Sequence, residues 1–143
     1  MISADEKHEF YAELVDFDKE KCSDFVHEAV LPYLGQFPSA RYNCRQLTLE
    51  LWKWFDTLPS HVQIACDSVY DRDLLWDAFQ DGLPSNLDRA MLDMRQAIDD
   101  PVYELAVANY HAQTGQPWHH ALHDARANRA GWFAWMESRE PAR

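Results

Sequence analysis

The residues best suited to chemistry lie near the C-terminus, where positions 119–129 read HHALHDARANR. Three histidines and one aspartate fall within six residues. A helical pattern opens here, after the Gly115-Gln116-Pro117 turn, and runs to about Arg139. On a helix His120 and Asp124 share a face, and His119 and His123 form a second pair at the same spacing. A neutral imidazole beside a carboxylate can bind a divalent metal, or act as general base next to one. The same residue types also suit a solvated polar helix start, so spacing alone leaves both readings open.

The elements that must position these groups follow from hydrophobic periodicity. Glu9–Leu14 alternates like a strand, with Phe10, Ala12 and Leu14 on one face. Ser23 is a natural N-cap for a helix reaching about Leu34, with Phe25, Val26, Ala29, Val30 and Tyr33 inward and Gly35 ending it. Gln46–Leu58 repeats Leu47, Leu51, Trp54, Phe55 and Leu58 at helical spacing. Val62–Cys66 reads as a buried strand, and Asp71–Gln80 as a helix with Leu74, Leu75, Ala78 and Phe79 inward. Arg89–Met94 reads as a strand, although a helix start also fits. Asp100-Pro101 opens a helix to about Thr114, with Pro at its first position and Val102, Ala106, Val107 and Tyr110 inward. Such alternation predicts an α/β domain around a small sheet.

Composition narrows the function classes. The chain has 143 residues, 47% hydrophobic, with six Trp, which is enough for one compact domain with a substantial core. No apolar run is long enough to span a bilayer and no signal-peptide pattern is present, so a soluble protein without membrane partners, in the cytoplasm, is expected. Cys22, Cys44 and Cys66 are odd in number and widely spaced, which disfavours a disulfide framework or structural zinc site. The net charge of −11 disfavours broad attraction to phosphate backbones. It does not exclude a metal-dependent phosphodiesterase, because bound cations invert the local charge. The acidity is uneven: Met1–Val30 holds nine Asp or Glu, whereas Arg126, Arg129, Arg139 and Arg143 gather at the C-terminal end.

The run from His119 to Arg126 resembles the last motif of the DEDDh 3′–5′ exonucleases, a superfamily with an RNase H-like fold. That motif has a His, four residues and an Asp, with Ala-Leu between and Ala-Arg after, matching His119, Asp124, Ala121, Leu122, Ala125 and Arg126. It places the catalytic His in the loop entering the helix, which favours His119, whereas helix geometry favours His120. Ile64–Leu75 (IACDSVYDRDLL) is similar to the middle motif, with Tyr70-Asp71 as its aromatic-Asp pair. Asp67-Ser68 stands where the family often has His-Asn. Asp71 also suits a helix N-cap. Phe10-Tyr11-Ala12-Glu13 and Ala29-Val30-Leu31-Pro32 match the layout of the small bacterial and phage 3′–5′ exoribonuclease subfamily, so the resemblance covers about Glu9 to Trp132.

The resemblance implies a single RNase H-like exonuclease domain over residues 1–143. Asp71 and Asp124, with Asp67 as a further carboxylate, would hold Mg²⁺ or Mn²⁺, and His119 would be the general base. The substrate would be the 3′ end of a single-stranded RNA or DNA. One part of the pattern is missing. The family's first motif, Asp-x-Glu on a central strand, has no counterpart: Asp5-Glu6 is adjacent, and Asp16-x-Asp18 lies in a turn. The chain is therefore expected to lack the first strand of the domain, to expose an edge, and to self-associate as a homo-oligomer. The alternative is a catalytically inactive remnant serving as an acidic protein-binding module.

Overall fold

In a computed structural model the structure describes residues 1–80 and 82–140; Arg143, in the C-terminal arginine group, lies outside them. The fold is mixed α/β and mostly helix. Its chain divides into two compact units, one spanning Ala12–Asp93 and the other combining Met1–Tyr11 with the chain from Met94 onward. No helix among the described residues is long and apolar enough to cross a membrane.

In the Ala12–Asp93 unit, β1 (Glu13–Leu14) pairs in parallel with β2 (Arg41–Tyr42). Between them lies α1 (Asp24–Ala29), capped by the Ser23 hydroxyl, which accepts the Val26 N–H. Pro32 then turns the chain into a short 3₁₀ segment, Leu31–Tyr33. Gly35 follows with φ 87°, and its N–H reaches the buried Glu13 carboxylate at 2.7 Å. Next comes α2 (Cys44–Asp56), opened by a reciprocal capping box between Asn43 and Gln46. Leu51 and Phe55 are fully buried from it, while Leu47, Trp54 and Leu58 are half-buried. Phe55 meets Phe79 edge-on at 5.2 Å, so α2 and α3 (Val69–Phe79) share this aromatic core.

The strand expected at Val62–Cys66 forms only in pieces. Val62 bridges Leu87, and β3 (Ala65–Cys66) pairs in parallel with β4 (Leu92–Asp93), inside the expected Arg89–Met94 segment. Among the described residues it is not an inner strand: β3 has one neighbour, Gln63 and Ala65 are exposed, and Val62 and Ile64 are only half-buried. The apolar run is covered on alternate residues alone, which is half of what a buried strand needs. The Glu9–Leu14 strand is also shorter than expected. Glu9 bridges Ile2 in an antiparallel turn, and Glu13–Leu14 joins a sheet in which, among the described residues, β1 likewise has one neighbour. Three residues predicted inward face water instead: Phe25 is 56% exposed, Leu74 67% and Val102 40%.

In the second unit, α4 (Arg95–Ile98) leads to α5 (Pro101–Thr114) and α6 (Ala121–Ser138). Asp100 caps α5 through the Val102 N–H, with Pro101 in its first turn. Gly115 ends it at φ 66°, the left-handed conformation that glycine tolerates. The two long helices approach closely because Gly131 has no side chain. A Cβ there would lie 2.8 Å from the Tyr103 ring and 2.9 Å from Val107. Met94, Ala97, Tyr103, Val107, Ala127 and Trp135 form the core around this crossing.

Candidate functional site

The α5–α6 turn gathers the titratable side chains. His119 is exposed, with φ 64°, a left-handed conformation uncommon for a residue with a side chain. Its N–H donates to Asp124 Oδ1 at 3.2 Å, so the carboxylate holds the strained entry to α6 in place. His120 takes the N-cap position without a side-chain cap and is 2% exposed. Its ring stacks on Tyr11 at 4.8 Å and lies 4.4 Å from the buried His123. Of the two rivals for a solvent-facing base, His119 has access to water and His120 is sealed in.

His111, which sequence reasoning did not single out, completes the cluster. It is 5% exposed on the inner face of α5. Its Nδ1 lies 3.0 Å from the Gln116 carbonyl oxygen. A carbonyl only accepts, so Nδ1 carries the proton. Its Nε2 has no hydrogen-bond partner among the described residues and faces Asp124 Oδ1 at 3.6 Å. Trp118, itself 48% exposed, stacks on the ring at 4.0 Å. A signal was present in the sequence: His111 follows Val107 by four residues, on the helix face that Tyr103 and Val107 bury. Burial raises the Asp124 carboxyl above the ordinary range, against the opposing pull of His111 and the His119 N–H. Burial lowers His123, helped by His120, Arg126 and His111, with Glu9 opposing.

Asp67 and Asp71 belong to the other unit, at the turn between β3 and α3. Ser68, not Asp71, caps that helix, accepting the Tyr70 N–H; Asp71 sits one turn inside, free of backbone duty as a cap. Partial burial first, and the Asp67 charge second, raise its carboxyl above the ordinary range. Both aspartates also push the Cys66 thiol up, after burial.

The acids weighed as substitutes for Asp-x-Glu have structural tasks. Asp16 accepts the Cys44 N–H at 3.0 Å at the start of α2. Asp18 caps the 3₁₀ turn at Lys19–Lys21. Asp5 bonds Ser3 and Lys7 within its own turn. The arginine after the His-Asp motif is likewise engaged, since Arg126 donates two hydrogen bonds to Glu9, at 2.6 and 2.9 Å. Arg129 pairs with Glu6, and a cavity of about 320 Å³ lies between these pairs and Tyr110. Both guanidinium groups are neutralised there, so the cavity is no ready anion site.

In donor type, the chain fits a divalent ion in two partial sets, Asp124 with His111 and Asp67 with Asp71. Among the described residues no group of three His, Cys, Asp or Glu is arranged to hold one. The chain matches no protein-family model, no curated protein and no solved structure.

Proposed function

We propose that the chain is a metal-dependent 3′–5′ exonuclease domain of the RNase H-like, DEDDh type, acting in the cytoplasm on the 3′ end of single-stranded RNA or DNA. Asp124 in one unit, and Asp71 in the other with Asp67 as a supplementary carboxylate, would each help to hold Mg²⁺ or Mn²⁺. His119 would take the proton from the attacking water, and a divalent ion held by these carboxylates would supply Lewis-acid stabilisation of the developing charge. The observation that carries this reading is the bond from the His119 backbone N–H to Asp124, which ties the exposed His119 to a carboxylate that burial raises above its ordinary range, at the entry to a helix. A raised carboxylate gains from a cation more than a solvated one does.

The test is a 3′-labelled single strand with Mn²⁺, paired with calorimetry of Mn²⁺ binding. Wild type shortens the strand from its 3′ end. His119→Ala lowers the rate by roughly 10²–10⁴-fold, the usual contribution of a general base, while keeping Mn²⁺ binding. Asp124→Ala and Asp71→Ala each lose Mn²⁺ binding and cleavage together. Metal binding unchanged in Asp124→Ala overturns the reading.

The second reading, an inactive remnant that binds a basic protein surface or self-associates, is favoured by the net charge of −11 and by the structural employment of Asp5, Asp16 and Asp18. Mn²⁺ binding without cleavage of any strand selects it.

A further inference from the structure

The geometry points to a zinc-type metal site formed by His111 Nε2 and Asp124, selective for a tetrahedral transition-metal ion over Mg²⁺. It shares Asp124 with the proposed nuclease centre and rests on that reading only there.

Three features converge on it. The Nδ1–H to Gln116 carbonyl bond fixes the tautomer and aims an Nε2 lone pair inward, the arrangement that orients metal-ligating histidines. That lone pair is buried, has no hydrogen-bond partner among the described residues, and faces carboxylate oxygen. A buried imidazole lone pair facing a partly exposed carboxylate oxygen repels it unless a cation sits between them. A proton is a poor fit, because an imidazolium–carboxylate hydrogen bond closes to roughly 2.7–2.9 Å and this gap is 3.6 Å.

The spacing also selects the ion. Two ligands at about 2.0–2.2 Å from a tetrahedral zinc stand roughly 3.3–3.6 Å apart. Neighbouring ligands of an octahedral Mg²⁺ at about 2.0–2.1 Å stand only ~2.9 Å apart. Imidazole nitrogen favours zinc and its neighbours over magnesium as well. Asp124 is a third exposed at its side chain, which leaves room for waters to complete the shell. Trp118, stacked on the imidazole, supplies an apolar wall.

The experiment follows the imidazole ¹⁵N resonances of uniformly labelled wild type, with His111→Gln used to assign the His111 signals. One equivalent of Zn²⁺ moves His111 Nε2, and a large excess of Mg²⁺ does not. In calorimetry the tightest Zn²⁺ step weakens at least tenfold in His111→Gln and in Asp124→Asn. If His111→Gln fails to fold, through-bond assignment of the wild-type imidazoles identifies His111, and its shift together with Asp124→Asn still decides. A His111 Nε2 signal unmoved by Zn²⁺, or moved equally by Mg²⁺, overturns the site. A signal that responds to pH alone shows that a proton bridges the pair and overturns it too. Cleavage of a single strand with no Zn²⁺ effect on His111 leaves the nuclease reading standing and sinks this one; the Zn²⁺ effect without cleavage does the reverse.

Discussion

The two partial donor sets are built in opposite ways. Around Asp124 the His119 backbone is held by a hydrogen bond, His111 by a carbonyl and a stacked indole, and His120 by the Tyr11 ring. Asp71 stands on the exposed first turn of α3, a helix capped by Ser68, and its carboxyl is raised by partial burial and by Asp67. The first set is preorganised and the second is adjustable. Preorganised ligands bind metal with less loss of side-chain freedom, whereas adjustable ones depend on the ion to order them. Each prediction below breaks or sharpens that contrast.

The largest effects concern what holds each set. Phe55→Ala empties the core beneath α2 and α3 and costs about 3–5 kcal/mol, as truncation of a buried Phe does. Hydrogen exchange read by segment shows protection lost across 44–79. Gly131→Ala forces its methyl against Tyr103 and Val107 and costs about 1–3 kcal/mol, the range for overpacking a core. There, protection is lost across α5 and α6. If either variant loosens both regions equally, the separate construction of the two sets is wrong.

The legible parts of the molecule were those fixed by local chemistry. Ser23, Asp100-Pro101 and Gly115 each mark a helix end because a cap needs only its own few residues. The Leu51 and Phe55 stripe was legible for the same reason. His119 at a loop-to-helix junction came from the resemblance of a short motif, whereas helix geometry alone favoured His120. The strands did not, since a two-residue ladder such as β3 with β4 is set by a partner more than twenty residues away. Leu74 and Val102 obey helical spacing yet face water, because periodicity marks a face without saying what covers it. Most instructive is His111: its tautomer and its orphaned nitrogen depend on Gln116 and Asp124 in a turn and another helix.

A smaller contrast lies in the carboxylates themselves. Asp124→Ala removes the acceptor for the left-handed His119 N–H and costs about 1 kcal/mol, the usual value of a lost helix-entry hydrogen bond. Asp71→Asn stays within about 0.5 kcal/mol, as an exposed substitution does, and leans toward greater stability at neutral pH by relieving repulsion from Asp67. Urea titration at pH 7 measures both. A cost for Asp71→Asn equal to that for Asp124→Ala would remove the distinction between a fixed and an adjustable site.

The smallest expected effect is a difference in how the two sets meet acid. Burial holds His123 below its ordinary value, with His120, Arg126 and His111 adding positive charge and Glu9 opposing. The folded chain therefore binds fewer protons at this residue than the unfolded chain does, near and below pH ~6.5. Stability rises with pH where the unfolded state holds the extra proton, so this contribution is present at pH 7.5, above the unfolded value, and is lost as pH falls below it and through the folded value. Asp71 works in the other direction. Its folded value is raised, so its contribution is present below the unfolded carboxylate value near pH ~4 and is lost as pH rises through the folded one. Thermal melts from pH 8 to pH 5.5 should thus show a falling Tm in wild type and a flatter profile in His123→Gln. Substituting that side chain breaks no Nδ1 hydrogen bond among the described residues. Asp71→Asn should leave the slope between pH 8 and pH 5.5 close to wild type and alter it nearer the carboxylate range. A His123→Gln profile parallel to wild type would mean that the histidine-lined site is no more sensitive to mild acid than the solvated one.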